Sequence, residues 1–377
     1  MKSGKGKRII ISGGGTGGHI FPAIAIADAL KKLDPSTEIL FVGALGRMEM
    51  ERVPAAGYKI VGLDIRGIQR KSLLKNLALP FKLIGSVMKS MRIIKEFKPD
   101  AAVGVGGYAS GPLLYAAGLK KLPYLVQEQN SYAGVTNKRL GRKAAKICVA
   151  FDGMEEFFPE DKIVKTGNPV RRQSVEIEGK REEAFKEFKL SPEKKTILVI
   201  GGSLGARTLN DCIITDLDRL ISADIQLIWQ TGKHYYKDIE RILSANYHPN
   251  VCMLEFLNRM DLAYAAADII ISRAGAGTIA ELCIVGKPVI LVPSQNVAED
   301  HQTKNAKTLV KFNAAEYIAD RKASRSLVNK AMALLNDDKR RKILSDSIKK
   351  LALPDADEVI AKEVLKNEKR VNGIELK

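Results

Sequence analysis

Residues 8–19 read Arg8-Ile-Ile-Ile-Ser-Gly-Gly-Gly-Thr-Gly-Gly-His19, and this stretch decides the fold. A short β-branched run enters five glycines in six positions, and Phe21–Leu33 then carries apolar residues along one helical face. Glycines admit positive φ and let backbone amides approach a phosphate, while the following helix offers its positive end. Outward from this stretch the alternation continues. Glu38–Gly43 is a second strand, the helix Leu83–Phe97 leads into the strand Ala101–Val105, and the helix Leu113–Gly118 into Tyr124–Gln127. The pattern restarts where Thr196-Ile-Leu-Val-Ile200 enters Gly201-Gly202-Ser203, followed by a helix from Ala206 to Ile221. Ile225–Gln230, Val251–Glu255, Ile269–Ser272 and Val289–Val292 are the later strands. Strands alternating with helices predict parallel, doubly wound sheets. The turn chemistry of Thr166-Gly-Asn-Pro169 places a boundary there, giving α/β domains 1–168 and 169–353 that face a cleft. In such sheets ligands bind beyond the carboxyl ends of the strands. The helical text 354–370 is expected to pack back on the first domain.

Composition agrees with two globular domains. The chain has 377 residues, 45% hydrophobic and 28% charged, which is longer than one core usually grows and too apolar for disorder. Its four cysteines are scattered without a CxxC pair, which excludes a disulfide scaffold or zinc ribbon and fits a reducing compartment. No apolar run reaches the length of a membrane span, and Ile9-Ile-Ile11 is too short for a signal-peptide core. The net charge of +18 is uneven: residues 1–168 hold 27 basic against 14 acidic side chains. A nucleic acid, an anionic membrane or a phosphorylated substrate would each satisfy that field, as would a solvated basic surface.

The motifs sharpen this. His19 sits where the turn becomes helix, a position that disfavours the imidazolium and keeps the ring proton-accepting; a packed or capping histidine fits there equally well. Gly13, Gly15 and Gly18 satisfy the GxGxxG dinucleotide fingerprint. However, Glu38 precedes the second strand and Gly43 ends it, so the ribose-holding acid of a nicotinamide site is missing. Val103–Pro112, containing Gly104, Gly106, Gly107 and Tyr108, is a second glycine turn: a phosphate cradle or a packing turn. Gln127-Glu-Gln-Asn130 closes a strand with groups that bond hydroxyls. Ser203 adds a hydroxyl to its turn's amides, and Arg171 offers a guanidinium to phosphate or is a surface arginine. Gly275-Ala276-Gly277-Thr278 leave room for a ligand. Glu281 is read in the first turn of the next helix, where it can bind two neighbouring hydroxyls or simply favour the helix start. His301 and Gln302 lie in a polar loop, within reach of a sugar or on a solvated helix. The pairs Asp216/Asp218 and Asp355/Asp357 fall in helical text away from the glycine turns and read as surface acids, so no metal site is assigned.

The order GGGTGGH, GVGGYASGP, QEQN, GNPVR, GGSLGARTLN, AGAGTIAE, NVAEDHQTKNA resembles the MurG family of peptidoglycan glycosyltransferases from Lys7 to Leu353-Pro354-Asp355. The resemblance implies the GT-B fold, two Rossmann-like domains facing a cleft. It implies inverting transfer of N-acetylglucosamine from UDP-GlcNAc to the 4-hydroxyl of the muramyl sugar of lipid I, giving lipid II, with no cofactor required. By the same resemblance the first domain binds the acceptor and the membrane, and the second binds the donor. Ser203 and Arg171 would meet the diphosphate, Glu281 the ribose and Leu257 the uracil. Gly275, Ala276, Gly277 and Thr278 would line the donor site, and Gln302 would contact the sugar hydroxyls. Thr16, Gly17, Gly18 and Asn130 would close on the donor sugar. The two glycine turns, through Gly14, Gly15, Gly104, Gly106, Gly107 and Tyr108, would take the acceptor, and His19 would assist its hydroxyl. Two departures stand out: Gln127 occupies a place where some relatives have histidine, and Leu204 replaces a residue often polar.

Between Ile65 and Lys98 nine basic residues and one acid interleave with apolar side chains, among them Leu73, Leu74, Lys75 and Phe81. That mixture suits an amphipathic surface on an anionic leaflet, although a packed helix with a solvated basic face would show it too. Together with the lipid-bound acceptor that the resemblance implies, it predicts a peripheral protein on the cytoplasmic face of the plasma membrane, with other cell-wall enzymes as further candidate partners. A transferase acting on another lipid, a nicotinamide oxidoreductase and a nucleic-acid binder are the rival readings. The last lacks aromatic stacking platforms, with 6% aromatics and one Trp, so no nucleic-acid partner is expected.

Overall fold

A computed structural model of the chain describes residues 6–67, 79–202, 204–243, 248–295 and 300–366. Residue contacts divide it into two units. One runs through Val170 and is rejoined by the chain from Pro354 onward; the other is Arg171–Leu353.

In the first unit the described residues form one parallel sheet of seven strands. These are β1 (Arg8–Gly13), β2 (Glu38–Ala44), β3 (Lys59–Leu63), β4 (Ala101–Gly106), β5 (Tyr124–Glu128), β6 (Lys146–Val149) and β7 (Ile163–Lys165), in the order β3-β2-β1-β4-β5-β6-β7. Successive side chains of a strand point to opposite faces, and both faces here are covered. Ile9 and Ile11 therefore pack with Phe41 and Val103 under the helix Gly17–Leu33, while Ile10, Val42 and Ala102 pack with Ile93 and Leu113 on the other face. The helix Ala356–Lys366 returns to the first of these layers. Its Ile360 and Val364 are fully buried there, each contributing about 1.5–3 kcal/mol, and Lys32 bridges to Glu358 at 2.8 Å. The strand order reverses between β1 and β4, so the turns after these two strands flank the crevice where such sheets bind ligands.

The second unit repeats the plan with β8 (Thr196–Ile200), β9 (Gln226–Gln230), β10 (Val251–Leu254), β11 (Ile269–Ser272), β12 (Val289–Leu291) and β13 (Glu316–Tyr317). These are parallel and ordered β10-β9-β8-β11-β12-β13 among the described residues. Its core is built on Ile197, Val199, Trp229 and Ile271. Each unit is thus a doubly wound α/β sheet, the architecture anticipated from the glycine-turn stretches.

Three details differ from the sequence reading. The first helix starts at Gly17, not Phe21, because the turn's last glycines are already helical. The stretch 206–221 is two helices, Arg207–Thr215 and Leu217–Ser222, since Asp216 leaves helical geometry at φ −106°, ψ 15°. Strands β3, β6, β7 and β13 were not anticipated; they are two to five residues long, too short for a clear alternation. Among the described residues, no helix is long and apolar enough to cross a membrane.

Candidate active site

The two glycine turns of the first unit interlock. Gly14 N donates to Gly106 O at 3.3 Å, and a Cβ on Gly107 would stand 2.3 Å from Gly14 O, so the backbones meet with no room for a side chain. Gly106 and Gly107 have φ of +108° and +91°, open to glycine at little cost. His19, third residue of its helix, lies against this junction: a Cβ on Gly106 would strike its Cδ2 and Nε2 at 2.5 and 2.7 Å. Nδ1 of His19 stands 3.2 Å from Gly14 O and 3.4 Å from Thr16 Oγ1. A carbonyl only accepts, so this contact selects the tautomer with the proton on Nδ1 and the lone pair on Nε2.

A residue that sequence reasoning missed completes the turn. Glu49, first residue of the helix Glu49–Ala55, is 1% exposed. Its Oε2 accepts from Gly15 N at 2.8 Å and its Oε1 from Ala44 N at 3.0 Å. The carboxyl presses on Gly14, where a Cβ would meet Oε1 at 2.2 Å, and its stem presses on Gly43. Hydrogen bonds to a charged group are worth about 1.5–3 kcal/mol each, so Glu49 clamps the turn to the end of β2. Of the two glycines expected to take the acceptor, Gly14 is buried and the Gly15 amide is engaged by the Glu49 carboxyl group. Gly104 lies inside β4 with Leu114 packed on it, 2.4 Å from where a Cβ would stand. Tyr108, in contrast, is 45% exposed beside Gly15.

The Gln127–Asn130 segment is spent largely on itself. Gln127 Nε2 donates to Asn168 Oδ1 at 2.8 Å, Asn168 Nδ2 to Gln129 O at 2.9 Å, and Gln129 Nε2 to Val105 O at 3.3 Å. Glu128 accepts from Asn130 N, Gly134 N and Asn137 Nδ2, which shapes the loop and holds Asn130 at its partly buried position.

In the second unit Gly275 caps the helix Ala276–Val285, so Ala276, Gly277 and Thr278 form its first turn, which carries no acid. Glu281 is in the second turn, not the first, and its partly buried Oε2 accepts from the fully buried Tyr264 hydroxyl at 2.9 Å. Burial pushes the Glu281 carboxyl above its usual range, while the Tyr264 hydrogen bond and the nearby Arg171 charge favour the ionised form. Arg171, exposed at the start of the short helix Arg172–Val175, is thus electrostatically coupled to Glu281. Gln302 opens the helix His301–Lys311 and accepts from Ser294 N at 2.8 Å, which ties it to the loop after β12. Leu257 is 3% exposed in the loop after β10. Arg273 pairs with Asp320 and donates to Val292 O at 2.9 Å, bracing the turn that leads to Gly275. Ser203, Leu73, Leu74 and Lys75 lie outside the described residues. Among the described residues no three His, Cys, Asp or Glu are grouped to hold a metal.

Residues 9–149 match the glycosyltransferase family 28 N-terminal domain and residues 196–360 its C-terminal domain. The chain belongs to glycosyltransferase family 28. Within the family, it is 58% identical over 359 residues to a Parabacteroides distasonis protein named UDP-N-acetylglucosamine--N-acetylmuramyl-(pentapeptide) pyrophosphoryl-undecaprenol N-acetylglucosamine transferase. That alignment covers 95% of this chain and 98% of the relative. A Flavobacterium psychrophilum protein of the same name is 52% identical, across 95% and 97% of the two chains. Among solved structures, Acinetobacter baumannii MurG superposes with a TM-score of 0.75 at 30% identity, covering 96% of this chain and 99% of that one. This family membership settles the fold as GT-B and removes the oxidoreductase and nucleic-acid readings.

Proposed function

We infer that this chain transfers N-acetylglucosamine from UDP-GlcNAc to the muramyl sugar of a pyrophosphoryl-undecaprenol acceptor, lipid I, and so makes lipid II for peptidoglycan. The observation that carries this is the 58% identity, over 95% of the chain, to the transferase of that name. Purified protein given UDP-GlcNAc and lipid I should release UDP and form lipid II in equal amounts. Donor turnover that does not depend on lipid I would refute the reading.

The site residues take the following roles. In the first unit His19 is the base: with its proton on Nδ1 toward Gly14 O, Nε2 accepts the proton of the attacking 4-hydroxyl. Transfer is one in-line displacement at the anomeric carbon, with inversion. In the second unit the acid-free turn Ala276–Thr278, with Arg171 and Ser203, stabilises charge on the departing UDP. Glu281 accepts from the ribose hydroxyls, Leu257 backs the uracil, and Gln302 contacts the donor sugar. Thr16, Gly17, Gly18 and Asn130 contact the sugar being transferred. No cofactor enters this scheme.

The protein is peripheral on the cytoplasmic membrane face. Supporting this, the helix Leu79–Phe97 exposes Phe81, Leu83, Ile84 and Met88 at 46–77% of their surface, alongside Arg92 and Lys95. Replacing Phe81, Ile84 and Met88 together by serine should cut sedimentation with anionic vesicles several-fold while leaving the melting temperature unchanged. Unaltered sedimentation would remove the membrane role of this face.

A further inference from the structure

We propose that Arg47, in cation–π contact with Tyr108, takes a phosphate of the acceptor's pyrophosphate, a task the Gly13–Gly15 turn does not perform. The proposal rests on the reading of the acceptor as a pyrophosphoryl lipid. Its first support is the occupied turn. Gly15 N is given to Glu49 Oε2 and Gly14 N to Gly106 O, so a phosphate brought to these amides would meet a buried carboxyl instead of open donors. A cation beside the turn would balance the acceptor's charge on this side of the sheet.

Arg47 supplies it. It lies in the turn between β2 and the helix Glu49–Ala55, is exposed, and meets no carboxylate at salt-bridge distance among the described residues. Its guanidinium carbon stands 5.8 Å from the centroid of the Tyr108 ring. Tyr108 follows the second glycine turn, and its ring is 3.8 Å from where a Gly15 Cβ would stand; it also covers Gly67, where a Cβ would collide at 2.3 Å. The arginine and its aromatic platform are therefore beside the crevice between β1 and β4, next to the turn that carries His19. This cation–π contact leaves the guanidinium N–H groups for a phosphate, which arginine can bind through two parallel hydrogen bonds. It also fixes a long side chain before the ligand arrives, which reduces the ordering cost of binding.

The test uses the full chain and two soluble muramyl acceptor analogues, one with a pyrophosphate and one with a monophosphate. Arg47→Ala should raise the acceptor KM for the pyrophosphate analogue by about 10–100-fold, the scale of a lost charged hydrogen bond, and leave the UDP-GlcNAc KM unchanged. Arg47→Lys should recover only part of the loss, and Tyr108→Ala should lose less than Arg47→Ala. The unmodified protein should prefer the pyrophosphate analogue, and Arg47→Ala should erase most of that preference. An unchanged acceptor KM, a preserved preference, or an equal rise in both KM values would overturn the assignment. If the unmodified protein neither binds nor glycosylates either analogue, the functional reading itself fails and this assignment falls with it.

Discussion

Both units carry a β-branched strand running into a glycine turn and then a helix, yet they use it differently. In the first unit the turn after β1 is closed from below by Glu49, whose carboxyl engages the Gly15 amide and presses on Gly14. What remains for chemistry there is a side chain, His19, held by Gly14 O with its ring against Gly106. In the second unit the turn after β11 starts the helix Ala276–Val285 with no acid in its first turn. Its carboxylate, Glu281, stands one turn further on under the Tyr264 hydroxyl. A glycine turn is thus a licence for close backbone approach, and the nearest carboxylate decides whether that approach serves an anion or a neighbouring loop. On the proposed reading the first unit presents a base and the second presents amides to a leaving diphosphate.

Substitutions can break this comparison, beginning with the largest effect. His19→Ala should lower kcat for transfer by about 10²–10⁴-fold, the range for a general base, and near-normal turnover would reject the first unit's role. Glu49→Gln places an amide NH₂ against one of two backbone donors. It should cost tenfold or more in kcat through a misplaced turn, with the UDP-GlcNAc KM held; equal losses in both would make Glu49 a general structural residue. Tyr264→Phe removes the one hydroxyl bonded to Glu281 and should weaken donor binding by roughly 5–30-fold, on the scale of a hydrogen bond to a charged group. The smallest effect is on stability. Because the folded pKa of Glu281 is raised, the native state keeps that proton longer than the unfolded chain. Stability should therefore fall as pH rises from about 4.5 through the raised value, and Glu281→Gln should remove that part of the slope in denaturant titrations.

Much of this was legible in the sequence because parallel strands buried on both faces read as runs such as Ile9-Ile-Ile11 and Ile197-Leu-Val-Ile200, bounded by glycine. The short strands β7 and β13 escaped, since two or three residues carry no period. Glu49 escaped for a different reason. It stands 34 residues from Gly15 in the charged stretch Arg47-Met-Glu-Met-Glu-Arg52, which reads as a solvated helix start, and only the strand order β2-β1 brings it under the turn. Tyr264 did leave a signal: a hydroxyl inside the apolar run Leu262–Ala267 must find a buried partner. The packing of Leu114 on Gly104 was not legible, because a glycine that admits a side chain looks in sequence like one that admits a ligand.

The division of labour between the units is tested most directly by titrating UDP into the unmodified protein and into the His19→Ala, Glu49→Gln and Glu281→Gln variants. The account predicts that only Glu281→Gln weakens UDP binding, by about tenfold, the scale of a charged hydrogen bond. Equal weakening by His19→Ala or Glu49→Gln would contradict it.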